Sequence, residues 1–294
     1  MTLREHWALQ QKRIDAELER LIPPDSTPPA AIHRAMRYSL FAGGKRVRPL
    51  LCLEAAYAVS DTPGGIESAA CALECIHTYS LIHDDLPALD NDDFRRGKPT
   101  CHKVFGEAMA ILAGDALLTI AFEILATLPH ACDAAKARMV AELARASGTA
   151  GGMIGGQVAD LEGEGRPPDA ALLESIHRAK TGALLRASLR LGAIYAGASP
   201  AQYEALSSFG EHIGLAFQIV DDILDVEATS EALGKTAGKD ARQQKITFPA
   251  VYGLDESRRM AEAELRKSHA SLDAFGARSV RLHEMADFIV KRKA

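Results

Sequence analysis

Aromatic side chains are scarce in this chain. Phe, Tyr and Trp make up 5% of 294 residues, and Trp7 is the one tryptophan. β-Branched runs are short, and no alternating apolar and polar stretch reads as a strand. That excludes sheet-based architectures and leaves helix as the preference of an alanine- and leucine-rich sequence. An excess of basic charge is also missing: the formal net charge is −5, which argues against a nucleic-acid partner. No apolar run reaches the roughly 20 uninterrupted residues that a membrane helix needs, and residues 1–22 are charged throughout, without an apolar signal core. The expectation is a cytoplasmic protein with no integral membrane segment. Cysteines number five, and Cys71 and Cys75, four apart, lack the His or second Cys pair that would complete a zinc pattern. Cys52, Cys71, Cys75, Cys101 and Cys132 all read as buried, reduced thiols. A low-complexity linker is absent too, so residues 1–294 read as one domain.

What is there is helical periodicity in a composition, 47% hydrophobic and 25% charged, that is normal for a globular chain. Helices are expected over 3–21, 30–41, 48–60, 65–86, 108–128, 131–147, 172–196, 201–226, 250–272 and 279–291, with Pro23-Pro24 and Gly43-Gly44 as stops. Four glycines in Gly151-Gly152-Met153-Ile154-Gly155-Gly156 mark a break or a close backbone approach.

Two acidic clusters carry the chemistry: Asp84-Asp85-Leu86-Pro87-Ala88-Leu89-Asp90 and Asp221-Asp222-Ile223-Leu224-Asp225. Each closes a long apolar helix, where an unpaired carboxylate is costly. Two such clusters call for a shared cationic partner, and Mg²⁺ carrying a phosphorylated substrate has the right chemistry, since it takes one or two carboxylates plus phosphate oxygens and water. Asp221 and Asp225 share a helix face, whereas Asp222 is turned about 100° away. Asp84 and Asp90 would diverge on a straight helix. Pro87 disfavours helix at Leu86, so the turn after it can bring Asp90 back beside Asp84. With the apolar helix bodies facing each other, the expected architecture is an all-α bundle around a deep central cavity, greasy below and anionic above.

Cations supply the complement. Gly43-Gly44-Lys45-Arg46-Val47-Arg48-Pro49 sets three of them beside two glycines at a helix start, a fit for a diphosphate. Arg95-Arg96 follow the first acidic cluster, Lys180-Thr181 lie within a helix, and Lys235, Lys239 and Lys245 follow the second cluster.

These segments, together with Glu74–Leu117, Gly155–Gly165, His177–Ser188, Phe217–Val226 and Leu233–Ala250, are collinear with the trans-isoprenyl diphosphate synthase family, and the chain most resembles its bacterial farnesyl diphosphate synthases. The resemblance implies the family's all-α fold, a homodimer, isoprenyl diphosphates as substrates and three Mg²⁺ ions, with Mn²⁺ as a substitute. By residue, it implies Asp84, Asp90, Asp221 and Asp225 as metal ligands. Lys45, Arg48, His77 and Arg96 would hold isopentenyl diphosphate. Arg95, Lys180, Lys235 and Lys245 would hold the allylic diphosphate, with Thr181 and Gln218 beside the reacting carbons; Lys180, Thr181, Gln218 and Lys235 are the implied catalytic set. Tyr79 and Ser80, five and four residues before Asp84, stand where the family sets product length, and an aromatic at Tyr79 fits a fifteen-carbon product. Alternatives are a synthase of longer or shorter product, or a catalytically silent partner subunit. Departures from the family pattern are Asn91, Lys239, Phe248 and Val158-Ala159, none of them at a ligand position.

Overall fold

The computed structural model describes residues 1–167, 169–227 and 246–291. Backbone contacts divide the chain into two units, residues 1–53 with 64–140 and residues 54–63 with 141–294. The helices are α1 (Leu3–Leu21), α2 (Ala30–Leu40), α3 (Val47–Val59), α4 (Ile66–Asp84), α5 (Cys101–Phe105), α6 (Glu107–Ala126), α7 (Asp133–Ser147), α8 (Met153–Gly163), α9 (Ala170–His177), α10 (Ala183–Tyr195), α11 (Pro200–Glu227), α12 (Phe248–Tyr252), α13 (Leu254–Ser271) and α14 (Val280–Val290). The fold is all-α, as the composition requires. The only strands among the described residues are a two-residue pair, β1 (Phe94–Arg95) and β2 (Lys98–Pro99), joined through Arg96 and Gly97.

In the first unit α4 is the central element. It is buried almost all round from Ile66 to Ile76, the pattern of a core helix rather than of an amphipathic surface helix. It packs along α6, and α1 packs on it from another side. α1 begins with a capping box, Thr2 accepting from the Glu5 amide while Glu5 reaches back to the Thr2 amide. α6 buries Ala110, Ala113, Gly114, Leu117, Ala121 and Leu125 along one stripe but leaves Ile111 and Leu112 exposed on another. By length and composition α6 is apolar enough to cross a membrane, with a mean hydropathy of 1.9. Asp115 and Glu123 interrupt it, so the sequence shows no unbroken apolar run.

In the second unit α11, 28 residues long, is the central element, flanked by α10 and α13. Ile213, Ala216, Ile219 and Val220 form its buried body.

Three expectations need correcting. Cys132 is exposed, because it sits in the turn before α7, while the other four cysteines are buried. The helix expected over 172–196 contains a π-helical stretch, Arg178–Gly182, and the one expected over 250–272 is two helices broken at Gly253. The glycine cluster is largely α8 itself, which starts at Met153 and runs through Gly155 and Gly156. Close approach is the reason for Gly156: a Cβ there would stand 2.2 Å from the Lys180 amide nitrogen.

Candidate active site

The first unit gathers cations around a loop of unusual backbone. Gly43 and Gly44 have φ of 92° and 132°, and Arg46 follows at 50°. The φ of Gly44 is one that side-chain-bearing residues rarely adopt, which is why glycine stands there, and the Arg96 guanidinium lies over its open face. Arg96, itself at φ 54°, donates to the Gly43 carbonyl. Lys45 is exposed and Arg48 half-buried in the first turn of α3. Between them Arg46 turns inward. Its Nη1 donates to Glu74 at 2.7 Å, its Nε to Asp15 at 2.9 Å and its Nη2 to the Leu40 carbonyl at 2.8 Å. His77 lies one turn beyond Glu74 on α4. Burial, and then the charges of Arg48, Arg96, Arg95 and Arg46, hold its imidazole well below the usual histidine range, so the ring is neutral.

At its far end α4 stops at Asp84, two residues earlier than Pro87 alone predicts. The chain then folds back: the Asp90 amide donates to the Asp84 carbonyl at 2.8 Å, while the Leu89 and Asn91 amides both donate to the Leu86 carbonyl. Asn91 takes a φ of 50° to close the turn. The sequence expectation that Pro87 brings Asp90 back beside Asp84 is met in the backbone. Asp85, buried, is gripped by Arg95 through three contacts of 2.6–2.9 Å. Burial pushes its carboxyl above the usual range even against that guanidinium. Arg95 thus has a carboxylate partner within its own unit.

Tyr79 is 5% exposed on α4 and meets the His83 ring edge-on at 5.6 Å. Its hydroxyl is buried with no hydrogen-bond partner among the described residues, and burial followed by the Asp84 charge pushes it up to about 12. Ser80 turns its hydroxyl onto the His77 carbonyl at 2.8 Å.

The second unit builds its share from helices. Lys180 and Thr181 sit in the π-helical stretch, where the wider turn displaces them from α register. Lys180 Nζ donates to Asp160 of α8 at 2.7 Å. On α11, Gln218 Nε2 lies 3.1 Å from His177 Nδ1, and His177 Nε2 lies 3.2 Å from Asp222 Oδ2. The same Asp222 oxygen accepts the Phe248 amide at 2.9 Å, and the Phe248 ring stacks on His177. Asp222 is thereby committed to structure, in line with its expected turn away from Asp221 and Asp225. Asp221 is half-buried and Asp225 buried, with Oδ1 of Asp225 lacking a hydrogen-bond partner among the described residues. Lys235, Lys239 and Lys245 fall outside the described residues.

The acids suit an ion that brings its own oxygen ligands. Among the described residues no three His, Cys, Asp or Glu side chains converge tightly enough to hold a metal on protein donors alone, while a buried carboxylate oxygen stands unpartnered at Asp225. That is the donor supply Mg²⁺ uses when phosphate oxygens complete its shell.

Asp160 and His177 emerge only from the structure, and Arg46, expected among the diphosphate-facing cations, and Asp85, in the first acidic cluster, are instead committed to Glu74 and Arg95. Each lies within or beside a segment that carries the resemblance, but the sequence does not say which neighbour each would grip.

An all-α fold with one unit presenting a cationic loop, and both units presenting aspartate pairs at the ends of buried helices, defines a helical protein equipped for metal-assisted diphosphate chemistry. The family model for polyprenyl synthetase matches residues 29–275, and the chain belongs to that family, the trans-isoprenyl diphosphate synthases. It is 50% identical to a farnesyl diphosphate synthase of Geobacillus stearothermophilus, over 83% of this chain and 82% of that protein. It is also 50% identical to geranylgeranyl pyrophosphate synthase 7 of Arabidopsis thaliana, over 90% of this chain and 77% of that one. Among solved structures, an FPP/GFPP synthase from Zymomonas mobilis matches with a TM-score of 0.87 at 37% identity, covering 98% of each chain.

Proposed function

We propose that the protein is a farnesyl diphosphate synthase: a prenyltransferase that joins isopentenyl diphosphate head-to-tail to dimethylallyl and then geranyl diphosphate. Family membership supports the reaction class. The observation that carries the product length is Tyr79, an aromatic buried five residues before Asp84 with its hydroxyl unpartnered inside the unit. A side chain so placed acts as a floor to the growing tail.

The residues divide the work. Lys45, Arg48 and Arg96 hold the diphosphate of isopentenyl diphosphate, with neutral His77 donating a hydrogen bond rather than a charge. Arg95, Lys180, Lys235 and Lys245 hold the allylic diphosphate. Asp84 and Asp90 in the first unit, and Asp221 and Asp225 in the second, are the magnesium ligands; bound Mg²⁺ would neutralise charge developing on the leaving diphosphate. The Thr181 hydroxyl and the Gln218 amide direct their dipoles at the allylic cation. Gln218 is held in place for this by His177, whose Nδ1 lies 3.1 Å from its Nε2. The carbon–oxygen bond of the allylic substrate breaks, the isopentenyl double bond attacks, and the proton lost goes to the released diphosphate. Orientation and exclusion of water complete the catalysis. The chain works as a homodimer in the cytoplasm, and the exposed Ile111 and Leu112 on α6 support a helix face that a second copy covers.

The test is product chromatography with dimethylallyl and isopentenyl diphosphates and magnesium. A fifteen-carbon diphosphate is expected, and Tyr79→Ala is expected to lengthen it; an unchanged product from that variant would place the floor elsewhere. A twenty-carbon product is the second reading, favoured by the equal likeness to the Arabidopsis enzyme. Sedimentation tests the dimer, where a monomer at micromolar concentration would reject it.

A further inference from the structure

The family model begins at residue 29, so α1 lies outside it, yet α1 makes three side-chain contacts with the loop at 43–46. Trp7, Gln11 and Asp15 are four residues apart and so form one stripe along the helix. Each meets a different residue of the loop. The Trp7 indole N–H donates to the Lys45 carbonyl at 2.8 Å, the Gln11 amide donates to the Gly44 carbonyl at 2.9 Å, and Asp15 accepts from Arg46 Nε at 2.9 Å. These three consecutive residues include two with left-handed backbone, Gly44 and Arg46, and the conformation is costly for arginine. Such a conformation persists only where its surroundings over-determine it. The buried Arg46–Glu74 pair secures one side, and the stripe of α1 secures the two carbonyls that the pair does not reach.

We propose that α1 is a positioning strap for the isopentenyl diphosphate site: its Trp7–Gln11–Asp15 stripe fixes the loop so that Lys45 and Arg48 are set before substrate arrives. This rests on the reading that Lys45 and Arg48 hold that substrate. The register of the loop passes directly into α3, because the Arg46 carbonyl accepts the Leu50 amide at 3.0 Å, and Arg48 lies in the turn so defined. A loop freed from α1 would have to be ordered by the substrate itself, and that cost would appear as weaker binding. Chemistry on the allylic partner would be unaffected, since none of the strap residues belongs to its site.

Trp7 is the chain's only tryptophan, so the strap carries its own reporter. Two measurements on the full-length chain test the proposal. The first compares wild type with the W7F/Q11A double variant, which removes both donors but keeps an aromatic and a good helix former. The Michaelis constant for isopentenyl diphosphate is expected to rise about tenfold, which is about 1.4 kcal/mol, with the constant for geranyl diphosphate and kcat within twofold. The second follows wild-type tryptophan emission during titration with isopentenyl diphosphate in metal-free buffer. A saturable change is expected, abolished by K45A, and it stands even if the double variant does not fold. Wild type that turns over but shows silent emission, or a double variant that loses both substrates equally or neither, overturns the strap and leaves the proposed function standing. Wild type that does not consume isopentenyl diphosphate at all overturns both.

Discussion

The two units hold their candidate site residues by different means. In the first, the cations and acids ride on turns with left-handed backbone at Gly43, Gly44, Arg46, Asn91 and Arg96, and ion pairs lock those turns: Arg46 with Glu74 and Asp15, Arg95 with Asp85. In the second, the residues ride on helix: Lys180, in the π-helical stretch, is paired with Asp160, while on α11 the aim is set by hydrogen bonds with at most one charged partner, Gln218 with His177 and Asp222 with the Phe248 amide. A regular helix already places Asp221 and Asp225 on one face, so nothing more is needed to converge them. Asp84 and Asp90, six apart, cannot be converged by regular structure, and the irregular backbone that does so is held by a charge pair. The lesson is that the cost of ordering a site tracks how far its geometry departs from a standard element.

The largest test sets one acid from each unit side by side. Asp84→Ala and Asp221→Ala are each expected to lower turnover by about 10²–10³-fold or more, with far-UV circular dichroism retained; near wild-type rates in both would remove the acids from the chemistry. Next is the stability contrast, read by urea unfolding. R46A strands Glu74 inside the first unit and is expected to cost about 3–5 kcal/mol. H177L strands the Gln218 amide in the second and is expected to cost about 1–3 kcal/mol. The reverse order would break the comparison. The smallest effect is on pH. Folding depresses the histidine in both units: His77 by burial and then by guanidinium charge, and His283 by burial and then by neighbouring His269. Below the unfolded value of about 6.5 the unfolded chain takes up protons that the folded one refuses, so stability is lost as pH falls from there. Thermal midpoints at pH 7 and 5.5 are expected to converge more for His77→Asn than for His283→Asn, because His77 is depressed further. Equal slopes in both variants would contradict the difference in charge environment.

Much of this was legible from residues alone. α1 falls where periodicity and Pro23 place it, and the turn that returns Asp90 to Asp84 follows from Pro87. Regular helix and proline act locally, so local sequence reports them. The π-helical stretch at Arg178–Gly182 was not legible, because an i→i+5 turn has no composition of its own and here accompanies the close approach of Gly156. Nor was the inward turn of Arg46: three cations in a row look alike until Glu74, 28 residues away, is seen to claim one of them. The exposure of Cys132 depends on where α7 begins, at Asp133 rather than at residue 131, a boundary that alanine-rich sequence marks weakly.

The wide turn that carries Lys180 and Thr181 has one further implication. A π-helical segment accommodates about one residue more than the same length of α-helix, so deleting any single residue between Arg178 and Gly182 would let the stretch rewind. Such rewinding would leave the flanking helices in their own register, because the shortened stretch would span the same length as ordinary α-helix. The number of residues in this stretch is therefore constrained independently of their identity: substitution can be tolerated at Ala179, whereas its removal would close the wide turn that displaces Lys180 and Thr181 from α register.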